Sequence, residues 1–440
     1  MKTLNVAAAI DDGAFTNYQK LVIAATASLI VLDGMDGQVL ANALPSLTQE
    51  WNLPRAAFAT ASAAAPFGMM LGGVLGGLLS DRIGRRTALL GMVIVFAVPT
   101  LAAAFVNTIP MLTLARFVAG IGLGGAMPNA AALVAEFAPL RQRPLAITAT
   151  IVCIPLGGFL GGVIAGQIVP LYGWRSLFVI GGVVPAVLAV SLIKILPESP
   201  RFLAARKTRW PELSGILNKM GIAAGPDTEY IEGSAAATSR GSIAALLAPD
   251  LRRDTLSLVL SFMSCLLAIW MGFIWIPAML TDAAVGFAQA DASYALSLFN
   301  FGGVAGAIAG ALVIQRFGSR LALLTTTALT VVSALAMAVM PPSTQHFFRT
   351  MLLFAITGAL MNAVQATMYA LAAHVFPTAI RGTGVGLTVA VGRAGNVLAS
   401  YVGSWALVAG GPPFFFMTWA AALTVVFLAL TMIRRHIPRT

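Results

Sequence analysis

Charge is scarce in this chain. Asp, Glu, Lys and Arg make up 10% of its 440 residues, whereas a soluble domain carries roughly 25%. Hydrophobic residues make up 58%, and mean hydropathy is +0.88. Together these exclude an ordinary water-soluble globule. Cysteine is nearly absent. Cys153 and Cys265 both lie in apolar segments, so neither a disulfide framework nor a metal site is expected. No nucleophile–base constellation and no phosphate-cradling loop stands out, so we expect no enzyme and no cofactor beyond a coupling ion. The GxG runs lie inside apolar stretches and not after a soluble strand, where a dinucleotide reading fails. Acidic residues number 16 against 27 basic ones, a formal charge of +11. Such an excess can serve nucleic acid. Its distribution along this chain points to a lipid bilayer instead, with no nucleic acid partner.

Long apolar runs are what the chain has in abundance. Windows of about 20 apolar residues give twelve spans, at approximately 20–43, 57–79, 87–106, 111–137, 144–170, 175–196, 255–281, 291–315, 320–340, 348–374, 383–409 and 413–433. The stretch before Lys20 is mixed polar and the first apolar run is long enough to span, so no cleavable signal peptide is expected. Alternate connections differ sharply in charge. One side, with both termini and the 197–254 segment, holds about 22 of the 27 Lys and Arg. The other holds Arg55, Arg175 and Arg349, while Arg116 and Arg393 fall within spans. The bias puts both termini in the cytoplasm.

The expected fold is all-α and integral to the membrane, with two pseudo-symmetric six-helix halves at 20–196 and 255–433. A cytoplasmic N-terminus (1–19), a central loop (197–254) and a tail (434–440) complete it. The loop has a Gly/Ala/Ser-rich middle at Gly233–Gly241, and Pro211–Met220 reads as a short amphipathic surface helix. Gly68, Gly72, Gly76, Asp81, Arg82, Gly84 and Arg86 recur as Gly302, Gly306, Gly310, Gln315, Arg316, Gly318 and Arg320, at a constant offset of 234. A nearly equal offset pairs Arg116 with Arg349, Gly125 with Gly358 and Asn129 with Asn362. An internal repeat of this size points to a transporter whose halves rock about a midplane site.

Two carboxylates interrupt the first span, in Leu32-Asp33-Gly34-Met35-Asp36-Gly37. Charged groups at the bilayer centre cost at least ~2.5–3.5 kcal/mol each, so they normally face a bundle interior or a wet cavity. The i, i+3 spacing puts both on one helix face. Low dielectric and a like-charged neighbour favour the protonated form of a carboxyl group, so the pair is suited to carry a proton. The plainer alternative is one partnered structural Asp and one near the membrane surface.

Several motifs carry a resemblance. Gly76-Gly77-Leu78-Leu79-Ser80-Asp81-Arg82-Ile83-Gly84-Arg85-Arg86 resembles the loop 2–3 signature of the major facilitator superfamily. Arg116-Phe117-Val118-Ala119-Gly120-Ile121-Gly122 resembles its fourth-helix motif, and Pro197-Glu198-Ser199-Pro200-Arg201-Phe202 its element after helix six. Asp33-Gly34-Met35-Asp36 is similar to the DGxD pattern of the aromatic acid:proton symporter family. So are Gly122 to Asn129, Glu136-Phe137-Ala138-Pro139, Gly173-Trp174-Arg175, Arg381 to Gly386 and Val391-Gly392-Arg393. The resemblance implies proton-coupled import of benzoate-like or hydroxybenzoate-like carboxylates across a bacterial inner membrane. It also implies gating by Asp81, Arg82, Gly84, Arg85 and Arg86. Gln315 departs from the pattern, which often has Asp there.

Candidate site residues follow. Asp33 and Asp36 are the proton-coupling pair. The resemblance links Arg116 to the same role, although near a span end it could instead snorkel. Glu136 is a further proton-coupling candidate that joins the gating network, or it is a solvated helix end. Arg393 lies too deep in span eleven to snorkel. Its planar fork suits a substrate carboxylate, and the alternative is a permanent salt bridge or backbone-carbonyl contacts. Asn129, Asn362 and Gln365 could orient a ring substituent or act as interhelical glue. Trp275 and Tyr369, with Trp270, Phe299 and Phe301, could sandwich an aromatic ring or simply pack. The function expected is a proton symporter for a small aromatic carboxylate, working as a monomer. Transport of another organic anion, drug efflux and a membrane sensor of aromatic acids are the alternatives.

Overall fold

A computed structural model describes residues 2–225, 228–231, 243–377 and 380–438. The Gly233–Gly241 stretch lies outside them. A backbone crossing hydrocarbon must satisfy its own N–H and C=O groups, which leaves helices as the solution for these apolar runs. The chain opens with β1 (Lys2–Asn5) and α1 (Val6–Asp11). The first span follows as two pieces, α2 (Asn17–Asp36) and α3 (Val39–Glu50). Thr16 caps α2 in a reciprocal box with Gln19, satisfying two N–H groups at the helix start. Five further long helices follow: α4 (Ala59–Ile83), α5 (Arg85–Ala103), α6 (Ile109–Phe137), α7 (Arg143–Tyr172) and α8 (Arg175–Leu192).

The central segment contains α9 (Pro200–Ala204), α10 (Trp210–Lys219), β2 (Thr228–Ile231) and α11 (Ile243–Leu246). The second set of long helices is α12 (Arg252–Leu280), α13 (Gln289–Phe317), α14 (Ser319–Val339), α15 (Phe347–Val375) and α16 (Arg381–Met432). The 52-residue α16 is bent at Gly410 and Gly411, where φ/ψ leave the helical region, so it makes two spans. Counting α2–α3 as one span and α16 as two, the described residues form twelve. The expected single first helix is corrected to a broken one. Gln38, at φ −114° and ψ 5°, interrupts it just after the second carboxylate.

Both termini and the central segment lie at one end of the bundle, here called the terminal face. There the N-terminus is not a loose tail. Its strand β1 pairs in parallel with β2, and Asp11 holds the α6–α7 turn through the Arg143 side chain and the Leu140 N–H. The expected amphipathic helix at Pro211–Met220 is α10. Its Leu213, Ile216 and Leu217 are buried in the core of the first half, so its apolar stripe meets protein.

Glycine lets α4 and α13 approach their partners at backbone distance. A Cβ at Gly72 would collide with the Ile121 carbonyl of α6, and one at Gly306 with the Ala359 carbonyl of α15. These equivalent contacts also correct the internal pairing. Gly72 to Gly306 is an offset of 234, but Ile121 to Ala359 is 238. Arg116 therefore does not correspond to Arg349, nor Asn129 to Asn362. The sequence pairing of these residues, at 233, falls five residues short of the contact offset of 238, more than one helical turn. The two halves meet where α7 packs on α13, α4 on α16 and α3 on α12.

Candidate functional site

The helix break after Asp36 builds the first part of the site. The last carbonyls of a helix lack intrahelical partners and attract cations. Arg116 of α6 takes this position. Its Nη2 donates to the Asp36 carbonyl at 3.2 Å, and its Nη1 lies 3.2 Å from Asp36 Oδ2. Both side chains are essentially sealed, at 1% and 0% exposure. Arg116 thus does not snorkel; it is committed to Asp36 inside the first half.

Asp33 has different company. It is buried, and its Oδ1 has no hydrogen-bond partner. Arg393, on α16 of the other half, acts on it electrostatically. Arg393 itself crosses the boundary between the halves, and its Nη1 donates to the Met69 carbonyl of α4 at 2.8 Å. Gly73 makes the notch, because a Cβ there would meet that same Nη1 at 2.6 Å. Tyr369 also lies within the electrostatic reach of Arg393. Its ring sits edge-on to Phe262, with centroids 5.1 Å apart, and it is 37% exposed. Arg393 therefore lies where the halves meet, with its charge acting on Asp33 and Tyr369, while Asp36 and Arg116 form a separate pair inside the first half.

The other candidates are placed elsewhere. Asn129 donates to the Gly76 and Gly125 carbonyls at 3.2 and 2.8 Å, pinning the α4–α6 crossing. Asn362 donates to the Gly358 carbonyl at 3.0 Å and lies against Gly303. Trp275 is fully buried against Gly403, with its Nε1 donating to the Ala399 carbonyl at 3.3 Å. Gln365 is half-buried on α15, one turn from Tyr369.

Near the terminal face, Arg85 bridges Asp81 at 2.8 Å and Glu136 at 3.4 Å. Ser199 donates to the same Glu136 carboxylate. Gly84 turns the chain at φ +101°, a backbone conformation that favours glycine. The Glu198 carboxylate fills the space beside it and accepts from the Arg86 N–H at 3.0 Å. The Arg82 carbonyl accepts from Arg206, and the Arg86 side chain donates to the Ile193 carbonyl. These contacts join the first half to the central segment that follows it. The second half has a neutral counterpart: the tail's Ile437 carbonyl accepts from the Ser319 N–H at 2.9 Å, beside the Gly318 turn. Glu198 belongs to the Pro197-to-Phe202 motif after helix six. Its position after helix six, near the loop only in space, hid its role as a helix cap.

Sequence reasoning also missed a row of polar contacts joining the halves toward the other end of the bundle. Gln38 and Asn300 exchange two amide hydrogen bonds, each 2.9 Å. Ser46 donates to Gln289 at 2.6 Å, and Arg55 pairs with Asp282 at 2.6 Å. The spacing of Gln38, Asn42 and Ser46 at four-residue steps was the available signal. Toward the terminal face, the surroundings of α4 and α16 are less crowded at several glycines. Gly73 and Arg393 are in contact, but a side chain at Gly77, Gly382 or Gly386 would meet nothing within 4 Å.

Comparison with known proteins agrees with this architecture. The model of the Major Facilitator Superfamily matches residues 26–343 and 258–440. The chain is 32% identical to the 4-hydroxybenzoate transporter PcaK of Pseudomonas putida, covering 93% of this chain and 91% of that one. It is 31% identical to the gallate transporter of the same species, over 95% and 93% of the two chains. The xylose transporter XylE from E. coli, in a partially occluded inward open conformation, superposes with a TM-score of 0.72 at 18% identity, over 96% of this chain and 99% of that one. This multi-pass membrane protein belongs to the Major Facilitator Superfamily, and within it to the family of these aromatic acid transporters.

Proposed function

We propose that the chain is a proton-coupled symporter that imports a small aromatic carboxylate of the benzoate or hydroxybenzoate type. The observation that carries this reading is Asp33, a buried carboxylate with an unpartnered oxygen, beside a guanidinium that reaches over from the other half. The curated names of the relatives, 4-hydroxybenzoate and gallate transporters, support the substrate class.

In this reading Arg393 receives the substrate carboxylate, and the ring lies toward Tyr369 and Phe262. One guanidinium cannot compensate two carboxylates in a low-dielectric site, where an unpaired charge is strongly unfavourable. Substrate can therefore take Arg393 only as Asp33 accepts a proton. Asp36 and Arg116 sit one turn further on as the second acid–guanidinium pair of the proton site. With both proton and substrate bound, the buried charge is balanced and the halves can rock. The open space beside Gly77, Gly382 and Gly386 supports reading the terminal face as the open one. The Asp81–Arg85–Glu136 cluster and Glu198 control that gate. The positive-inside bias assigns the face to the cytoplasm, in a bacterial inner membrane, with the monomer as the working unit.

The test is uptake of a labelled panel of aromatic acids by cells expressing the chain, with and without a protonophore. Saturable uptake of one acid, abolished by the protonophore, is the expected result. No uptake across the panel by protein shown to be in the membrane overturns it. Resistance to toxic compounds on expression would then indicate efflux.

A further inference from the structure

On the far side of the site from the termini, α3 and α13 face each other with polar stripes. Gln38, Asn42 and Ser46 line one, and Gln289, Ser293 and Asn300 the other. Gln38 and Asn300, 5% and 0% exposed, satisfy each other reciprocally. Gln289 is held twice, accepting from Ser46 and donating to the Asn42 carbonyl at 3.0 Å. Arg55 and Asp282 close the outermost end. Glycine on α7 admits the stripe, since a Cβ at Gly158 would strike both the Gln38 and the Asn300 amides. Two buried polar atoms in this region, Asn42 Oδ1 and Ser293 Oγ, have no partner.

We propose that this seam is the latch of the face opposite the termini, and that the Gln38–Asn300 amide pair positions the two halves when that face is shut. The inference rests on the alternating-access reading above. Polar groups suit a seam that must open repeatedly. When it parts, amides and hydroxyls exchange protein partners for water at only a modest net cost per bond, whereas an apolar seam would expose hydrocarbon. Asn42 Oδ1 and Ser293 Oγ, unpartnered when the seam is shut, gain hydrogen bonds to water when it opens. The pair thus holds the shut state only moderately, as a transporter intermediate requires.

The experiment uses purified full-length protein in detergent, with Cys153→Ser and Cys265→Ser, and Ser293→Cys as the reporter. Ser293 is 0% exposed and its hydroxyl has no partner, so the reporter removes no hydrogen bond. The rate of labelling by a fluorescent maleimide reads seam opening without any substrate. Gln38→Ala and Asn300→Ala should each raise it about tenfold or more, since each removes both bonds of the reciprocal pair. The double variant should add little, because one interaction is lost in each case. Gln38→Leu keeps the bulk and should act like Gln38→Ala. Asn129→Ala breaks buried amide bonds away from the seam and should leave the rate unchanged. Unchanged labelling in the Gln38 and Asn300 variants overturns the latch. An equal rise with Asn129→Ala also overturns it, by showing general loosening. Because labelling needs neither substrate nor proton gradient, it can fail or succeed independently of the uptake test.

Discussion

The Arg393 guanidinium belongs to the second half by its helix and to the first half by its hydrogen bond to the Met69 carbonyl, 2.8 Å away. A carbonyl holds a guanidinium less firmly than a carboxylate does. An arriving carboxylate can therefore replace Met69 as its partner. Arg393→Lys keeps the charge but loses the planar fork. It should weaken apparent substrate affinity about tenfold or more, the cost of roughly one good charge-assisted hydrogen bond. Arg393→Ala should remove saturable uptake altogether. The concentration dependence of uptake checks both, and wild-type affinity in the Lys variant would show that the fork is not used.

Asp33→Asn removes the proton acceptor while keeping the shape. Uptake in this variant should stop at equilibrium with the medium and lose its sensitivity to a protonophore. Accumulation ratios in energised cells are the measurement. Normal uphill accumulation would exclude Asp33 from coupling.

Asp36 and Arg116 are sealed on both sides, so removing one partner leaves a buried, uncompensated charge or its unpaired hydrogen-bonding groups. Arg116→Gln should lower stability by about 3–5 kcal/mol. The double variant Asp36→Asn/Arg116→Gln should recover much of that loss, since neither residue is then charged. Unfolding of the detergent-solubilised proteins reads this directly, and additive losses would contradict the pairing.

Two glycines on α4 and its turn give opposite expectations. Gly84 combines φ +101° with the Glu198 carboxylate in the space of a side chain. Gly84→Ala should lower stability by about 1–3 kcal/mol. Gly77 faces open space, so Gly77→Leu should shift stability by no more than about 0.5 kcal/mol. If α4 and α16 close together during transport, the same Leu should slow uptake strongly. Unimpaired uptake by a well-folded Gly77→Leu protein would show that these helices do not meet there.

Helices were legible from the sequence because the bilayer imposes their length and apolarity directly on the chain. The carboxylates at positions 33 and 36 were visible for the same reason: a charge in an apolar run stands out. Their division of labour was not visible. The i, i+3 spacing puts them about 60° apart on the helix, enough for one to face α6 and the other α16. The partner of Asp36 was in view as Arg116, but nothing local showed that Arg116 is committed to Asp36 while Arg393 rests on the Met69 carbonyl. Asn129 and Trp275 read equally well as site or packing residues, because an amide or indole in a span has the same sequence signature in either use.

By itself, then, the sequence determined the all-α membrane class, the spans, the repeat and the acids and arginines that cannot rest in lipid. Each of these follows from the transfer cost of a residue or from a pattern along one helix. Tertiary structure alone decided the break after Asp36, the register between the repeats and the capping of Arg86 by Glu198. It also decided the amide seam between α3 and α13. These depend on how distant helices are rotated and slid against each other, and a slide of about one turn changes every partner while leaving each helix's own pattern intact.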